Sequence, residues 1–180
     1  MSGKWYLPTV LFLAGASCGF GAVPVAVEVV EVKKIWGKAP HSAFTDLVRW
    51  RDPASRESND GFYCAFREGR GHVSTDGEIR ILESTDANRW ESAALVSLAG
   101  YDLRDAHLSV TPGGRLMLLG GAAPREQDNQ SAPTGTFASF SQDGRQWTEP
   151  QIVVEPGRWL WCVTWNKAKA YGVSYTAGKG

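Results

Sequence analysis

The chain has 180 residues, a length that fits one ordinary domain, and its 19 lysines and arginines are balanced by 19 acidic residues. A net charge of zero offers no basic face for nucleic acid, and no apolar run reaches the roughly 18 residues that a membrane-spanning helix needs. Eight tryptophans and 20 glycines are heavy usage, typical of short strands joined by tight turns.

The first 22 residues have the layout of a secretory signal peptide. Lys4 precedes a mostly apolar run over residues 5–16, and small residues follow as far as Ala22. Cleavage after Ala22, or at the Ala-Gly-Ala sequence before it, predicts a secreted or periplasmic protein. The alternatives are a buried N-terminal helix and a lipoprotein anchor at Cys18.

Cleavage after Ala22 leaves Cys64 and Cys162 in the body of the chain. Both fall in apolar, strand-like stretches, which predicts buried free thiols rather than a disulfide scaffold. The sequence has no spacing typical of metal ligands, and we expect no cofactor.

One seven-residue phrase occurs twice. Residues 84–90 read STDANRW and residues 141–147 read SQDGRQW, so that a Ser-x-Asp-x-x-x-Trp core recurs after 57 positions. Asp and Ser side chains can accept hydrogen bonds from backbone amides a few residues ahead, and the tryptophan can be buried between neighbouring units. A period of this size predicts a repeated β-sheet unit.

Aligning the two phrases predicts four strands in each unit. The predicted strands are residues 43–50, 62–67, 79–84 and 93–98, then 106–110, 116–120, 136–141 and 152–154, and finally 159–165 and 170–175. Turn residues separate them, and the polar stretches 52–60 and 124–133 are predicted to be exposed loops.

Repeated four-stranded units of this length are typical of β-propeller blades, of which a closed propeller has about four to eight. We therefore predict an all-β fold with about two and a half blades, belonging to a longer protein, because an open array exposes strand edges. The predicted organisation is a signal peptide (1–22), a lead-in (23–40), blade one (41–98), blade two (99–155) and the start of blade three (156–180).

The repeated phrases resemble the Asp boxes, or BNR repeats, of sialidases and sialidase-like six-bladed propellers. Residues 65–70, AFREGR, are also similar to the Phe-Ala-Glu-Gly-Arg segment of sialidases, and they precede the first Asp box as they do in that family. The resemblance covers residues 44 to 180 and implies the N-terminal portion of a six-bladed propeller. It also implies that the Asp boxes are structural elements on the rim, away from the active site.

The resemblance further implies how such a site works. In sialidases three arginines hold the substrate carboxylate, a Tyr paired with a Glu is the nucleophile, and a loop Asp is the acid/base. The loop Asp corresponds to Asp76, although residues 74–77 also read as an ordinary Asp-Gly turn. Thr45 stands where the family has its first arginine, and the Tyr/Glu pair falls in a later part of the family's propeller.

A second charged cluster, Asp102-Leu103-Arg104-Asp105-Ala106-His107, opens the second blade. Innermost strands of propeller blades line the central channel, so we predict a pocket where such strands begin. The candidate catalytic acids are Asp76, Asp105 and Glu68, and the candidate substrate-binding residues are Asp46, Arg67, Arg70, His72, Arg104 and Trp161. The alternatives are that Arg104 only neutralises neighbouring acids and that Trp159 and Trp161 only fill the core between blades.

Together these features predict an exported, sialidase-like propeller that acts on glycans, by glycoside hydrolysis of the exo-sialidase type. The alternative is a non-catalytic propeller that binds a polysaccharide or a protein partner, since a fold does not fix a function. A glycan is the expected substrate or ligand. We expect no nucleic acid partner and no membrane span after signal cleavage.

Overall fold

The computed structural model describes residues 28–53, 60–72, 74–125 and 133–177. The predicted signal peptide with Cys18, and most of both predicted polar loops, lie outside the described residues. Residues up to Lys33 form a unit separate from Lys34–Gly180, and the described part of that first unit, residues 28–33, has no helix or strand.

The larger unit is all-β. Its strands are β1 (His41–Trp50), β2 (Gly61–Gly69), β3 (Glu78–Ser84), β4 (Glu91–Val96), β5 (Tyr101–Val110), β6 (Leu116–Pro124), β7 (Gly135–Ser141), β8 (Gln151–Ile152), β9 (Arg158–Leu160), β10 (Thr164–Asn166), β11 (Lys169–Tyr171) and β12 (Ser174–Thr176). The first eight form two antiparallel four-stranded sheets, β1-β2-β3-β4 and β5-β6-β7-β8, each in chain order. This confirms the predicted all-β fold of four-stranded propeller blades.

The first strands of both sheets carry a bulge at the same place. The pairing of β1 with β2 shifts just before Asp46, and the pairing of β5 with β6 shifts just before His107. Inside the bulges, Phe44 and Asp105 have φ angles of 57° and 49°, a left-handed conformation uncommon outside glycine. The bulges therefore put Asp46 and His107 at equivalent positions of consecutive blades.

The two sheets enclose one buried apolar cluster between them. Its larger members are Trp50, Tyr63, Ile79 and Ile81 from the first sheet and Leu103, Leu108, Leu116, Leu118 and Phe137 from the second. The opposite faces have smaller clusters, around Phe66 and Leu82 in the first sheet and around Met117 and Leu119 in the second. Buried apolar side chains lie on both faces of each sheet, since side chains alternate between the two faces along each strand.

The third unit differs from the prediction of two uninterrupted strands at residues 159–165 and 170–175. β9 pairs with β12 and β10 pairs with β11, so the unit is a hairpin with a break in both arms. The Trp161 N–H donates to the Val173 carbonyl (3.1 Å) across the break. The break at residues 161–163 interrupts the first arm of the third unit. β1 and β5, the first strands of the other two units, have their bulges at the corresponding place.

The two Ser-x-Asp turns have the same hydrogen-bond pattern. Asp86 Oδ1 accepts from the N–H groups of Asn88 and Arg89, both at 2.8 Å, and Asp143 Oδ1 accepts from the two corresponding N–H groups at 2.9 and 2.7 Å. In both turns the tryptophan indole N–H donates to a turn carbonyl at 3.1 Å. The turns follow β3 and β7 at the ends of the sheets opposite to the β2–β3 loop, consistent with a structural role.

One of the two thiol predictions is wrong. Cys64 is buried as predicted, and burial raises the pKa of its thiol to about 11. Cys162 is a free thiol but is exposed, because it lies in the break of the third-unit hairpin rather than inside a strand. Within the ranges that the structure describes, no helix has the length and apolar character needed to cross a bilayer.

Candidate functional site

The bulges of β1 and β5 and the break after β9 surround one small cavity. Its volume is about 210 Å³, and its lining comprises Asp46, His107, Leu108, Ser109, Leu119, Cys162 and Val163. Most of these residues belong to the first strands of three consecutive units, which in a propeller face the central axis. We call the region formed by Asp46, His72, Asp105, His107 and Trp161 the channel site.

Asp46 is held by backbone groups from both blades. Its Oδ1 accepts from the Leu47 N–H and its Oδ2 accepts from the Leu108 N–H, each at 2.8 Å. His107 Nδ1 lies 3.6 Å from the same Oδ2. Burial alone would raise the pKa of Asp46, but the neighbouring His107 ring and the hydrogen bonds from the Leu108 and Leu47 N–H groups outweigh it and hold that pKa below 3.8. Asp46 is therefore a fixed carboxylate at neutral pH.

We expect Asp46 to make the fold sensitive to acid. Because its pKa is lower in the folded chain than in the unfolded chain, its contribution to stability is present above the unfolded value and is lost as pH falls through the folded value. Asp46→Asn should therefore weaken the decline of the melting temperature between about pH 5 and pH 3. Thermal melts of both proteins across this range test the point, and parallel declines would contradict it.

The pKa of Asp105 is shifted in the opposite direction to that of Asp46. Asp105 is half-buried in the left-handed bulge position of β5, and burial raises its pKa above 3.8 against the opposing effects of His107 and Arg104. The Trp159 indole and His72 also lie close enough to lower that pKa. Among the described residues no cation lies within 4.0 Å of its oxygens. A carboxyl group that resists ionisation is suited to proton donation.

Aromatic rings flank these carboxyl groups. The Trp161 side chain is 49% exposed, with its ring centre 5.4 Å from that of His107. Phe44 is 38% exposed and lies 5.2 Å from His72, whose ring in turn contacts His41 at 5.7 Å. All three histidines of the sequence therefore lie in or beside the channel site. The exposed Trp161 contrasts with Trp159, which is buried against Gly121.

A buried ion network lies beneath the site. Arg67 is completely buried, and its Nε donates to Asp102 Oδ1 at 3.0 Å. Its other nitrogens donate to the carbonyls of Gly71 (2.9 Å) and Ser74 (2.6 Å) in the β2–β3 loop. Arg104 Nε donates to the other oxygen of Asp102 at 2.5 Å. Arg67 thus supports the loop from inside and does not face a ligand, and Arg104 is partly engaged by Asp102.

Three predicted site residues lie elsewhere. Glu68 pairs with Arg80 (2.8 Å) on the face of the first sheet that points away from the second blade. Arg70 and Asp76 pair with each other at 3.0 Å in an exposed part of the β2–β3 loop. The side chain of Ser74, and then the backbone and side chain of Arg70, lower the pKa of Asp76 to about 2. Asp76 therefore has no proton to donate at neutral pH, and we carry neither it nor Glu68 forward as a catalytic acid.

His107 and the buried Trp159 were not among the site residues predicted from the sequence. His107 is the counterpart of Asp46, but the two are 61 positions apart and the Ser-x-Asp period is 57, so the repeat alignment misses the match. A signal was present in the run Arg104-Asp105-Ala106-His107, where polar residues interrupt the strand alternation next to an apolar stretch. This interruption coincides with the bulge of β5, and bulges are frequent next to active sites.

Comparisons with known proteins give a structural likeness but no match in sequence. No protein-family model matches the sequence, and no curated protein matches it. A solved structure of an α-L-arabinofuranosidase from Fusarium graminearum, in complex with an iminosugar inhibitor, is similar at 14% identity with a TM-score of 0.49. The likeness covers 67% of this chain and 35% of that protein, so the chain spans about a third of its length.

Proposed function

We propose that the chain belongs to an exported, sialidase-like propeller that hydrolyses glycosides at the channel site. The observation that carries the proposal is Asp105, a half-buried carboxyl group with a raised pKa on a left-handed bulge. Left-handed backbone at a residue other than glycine is costly and concentrates at functional sites. The repeated Ser-x-Asp turns support the sialidase-like relationship, and the signal-peptide layout of residues 1–22 supports export.

In this proposal Asp105 is the general acid. Its raised pKa favours the protonated carboxyl group that must deliver a proton to the glycosidic oxygen. The exposed Trp161 and Phe44 rings provide apolar faces on which a sugar ring can stack. Among the described residues the Arg104 side chain has one hydrogen-bond partner, Asp102, which engages its Nε and leaves its terminal N–H groups for sugar hydroxyls.

Asp105→Asn tests the proposal. Asn cannot donate a carboxyl proton, so turnover should fall about 10²–10⁴-fold. The melting temperature at neutral pH should stay the same or rise, because the variant removes a half-buried carboxyl group whose ionised form burial disfavours. Hydrolysis of a panel of p-nitrophenyl glycosides, including an α-sialoside and an α-L-arabinofuranoside, provides the measurement. Wild-type levels of turnover in Asp105→Asn would remove Asp105 as the acid.

A non-catalytic propeller that binds a polysaccharide or protein is the second candidate. The presence of Thr45 where sialidases have their first arginine favours it, as does the engagement of Arg104 by Asp102. Calorimetric titration with oligosaccharides separates the candidates. Saturable binding that Trp161→Ala weakens, with no turnover of any panel glycoside, would favour a binding protein.

A further inference from the structure

The pair formed by Asp46 and His107 has the arrangement of an oriented general base. The two side chains come from equivalent bulge positions of adjacent blades and meet in the wall of the 210 Å³ cavity. We propose that His107 accepts the proton of the water that attacks the sugar, and that Asp46 positions its imidazole ring for this step. This inference rests on the proposed glycoside hydrolysis.

Asp46 is suited to orient a ring because it cannot move freely. The Leu47 and Leu108 N–H groups each occupy one of its oxygens at 2.8 Å, which fixes the plane of the carboxylate. Oδ2 retains a second lone pair, and His107 Nδ1 lies 3.6 Å from it. Such distances often shorten when substrate binds. A carboxylate on one ring nitrogen fixes the tautomer and leaves a lone pair on the other.

That other nitrogen, His107 Nε2, has no protein partner among the described residues. The side chain is one-quarter exposed and lines the cavity. The groups around the ring are Asp46 from β1, Asp105 from the β5 bulge, and Trp161 and Cys162 from the third unit. None of these four residues is a cation, and the cationic Arg104 and the His72 ring act on the neighbouring Asp105.

The proposed step is a single displacement by water, in place of the covalent route through a Tyr/Glu nucleophile that the resemblance to sialidases implies. The oxygen of water forms a bond to the anomeric carbon while the bond from that carbon to the leaving oxygen breaks. Asp105 gives its proton to the leaving oxygen, and His107 Nε2 takes one proton from the attacking water. The site then holds an ionised Asp105 beside a protonated His107, and proton exchange with solvent restores the starting state. The imidazolium that forms is stabilised by Asp46.

Two measurements on the full-length protein test this inference. Long-range ¹H–¹⁵N spectra of the imidazole groups report the tautomer without requiring activity, and His107→Gln assigns the signal by removing it. In the wild type we expect neutral His107 to carry its proton on Nδ1. Asp46→Asn should move that proton to Nε2, because the Asn amide group can donate to Nδ1. A wild-type Nε2–H tautomer would overturn the role of Asp46.

Kinetics on the best panel glycoside form the second measurement. We expect His107→Gly and Asp46→Asn each to lower kcat about 10²–10⁴-fold with a smaller change in KM, and added imidazole to restore part of the His107→Gly rate. Arg89→Gln, on the distant Asp86 turn, is the matched surface control. If the His107→Gly variant keeps the wild-type kcat, the general-base role of His107 is overturned and the hydrolase proposal stands. Failure of the wild type to cleave any glycoside would overturn the hydrolase proposal and the base role with it.

Discussion

Replacing Arg67 by methionine should lower the free energy of unfolding by about 3–5 kcal/mol, because the change leaves the buried Asp102 without its fully buried partner and with only the partly exposed Arg104. It also removes the donors that hold the carbonyls of Gly71 and Ser74, so the β2–β3 loop loses its internal support. Urea denaturation with a linear extrapolation measures the effect. We expect the midpoint to fall steeply with little change in the slope.

Arg89→Met is the matched control for this change. Arg89 also pairs with an aspartate, but its side chain is 92% exposed, so its replacement should leave the denaturation midpoint unchanged. The double variant Arg67→Met with Asp102→Leu should recover part of the lost stability, because no unpaired charge remains buried. An Arg67→Met protein as stable as the wild type would mean that the network contributes nothing to the fold.

Gly121→Ala should lower the free energy of unfolding by about 3 kcal/mol, at the upper end of overpacking effects. A methyl group at this position would coincide with the six-membered ring of Trp159, which lies directly on the Gly121 backbone. Trp159 is buried and belongs to β9, so it cannot yield without moving the third-unit hairpin away from the second blade.

Gly113→Ala is the control for the glycine change, because a methyl group there meets nothing within 4 Å. Thermal melts of both variants should show a large decrease for Gly121→Ala and almost none for Gly113→Ala. Equal melting temperatures would show that the contact between Trp159 and the second blade is loose enough to accommodate the extra carbon.

The fold was largely predictable because the two Ser-x-Asp turns and the strand alternation agree with each other. The prediction for β5 fell short, placing its start at residue 106 where the structure has Tyr101. The bulge at Asp105 explains the difference, since an extra residue interrupts the period of two on which strand prediction depends. The third unit was predicted less well because its two arms are broken at positions where the apolar pattern continues.

The site was only partly predictable, for a related reason. Asp46, His72 and Asp105 were expected near the channel from their positions at the start of inner strands and in the β2–β3 loop. Glu68 follows Arg67 directly in β2 and so must lie on the other face of the sheet, an argument available from the sequence alone. The opposite pKa shifts of Asp76 and Asp105 depend on burial and on specific donors, which no linear pattern contains.

The matched bulges of β1 and β5 have an evolutionary consequence. Each bulge fixes the backbone through the strand pairs on either side of it, so the side chain that follows can vary without changing the sheet. One blade presents a carboxylate there and the next presents an imidazole. A repeated fold with such exchangeable positions can acquire new chemistry by substitution at one residue per blade, while duplication of the blade supplies further copies of the same position.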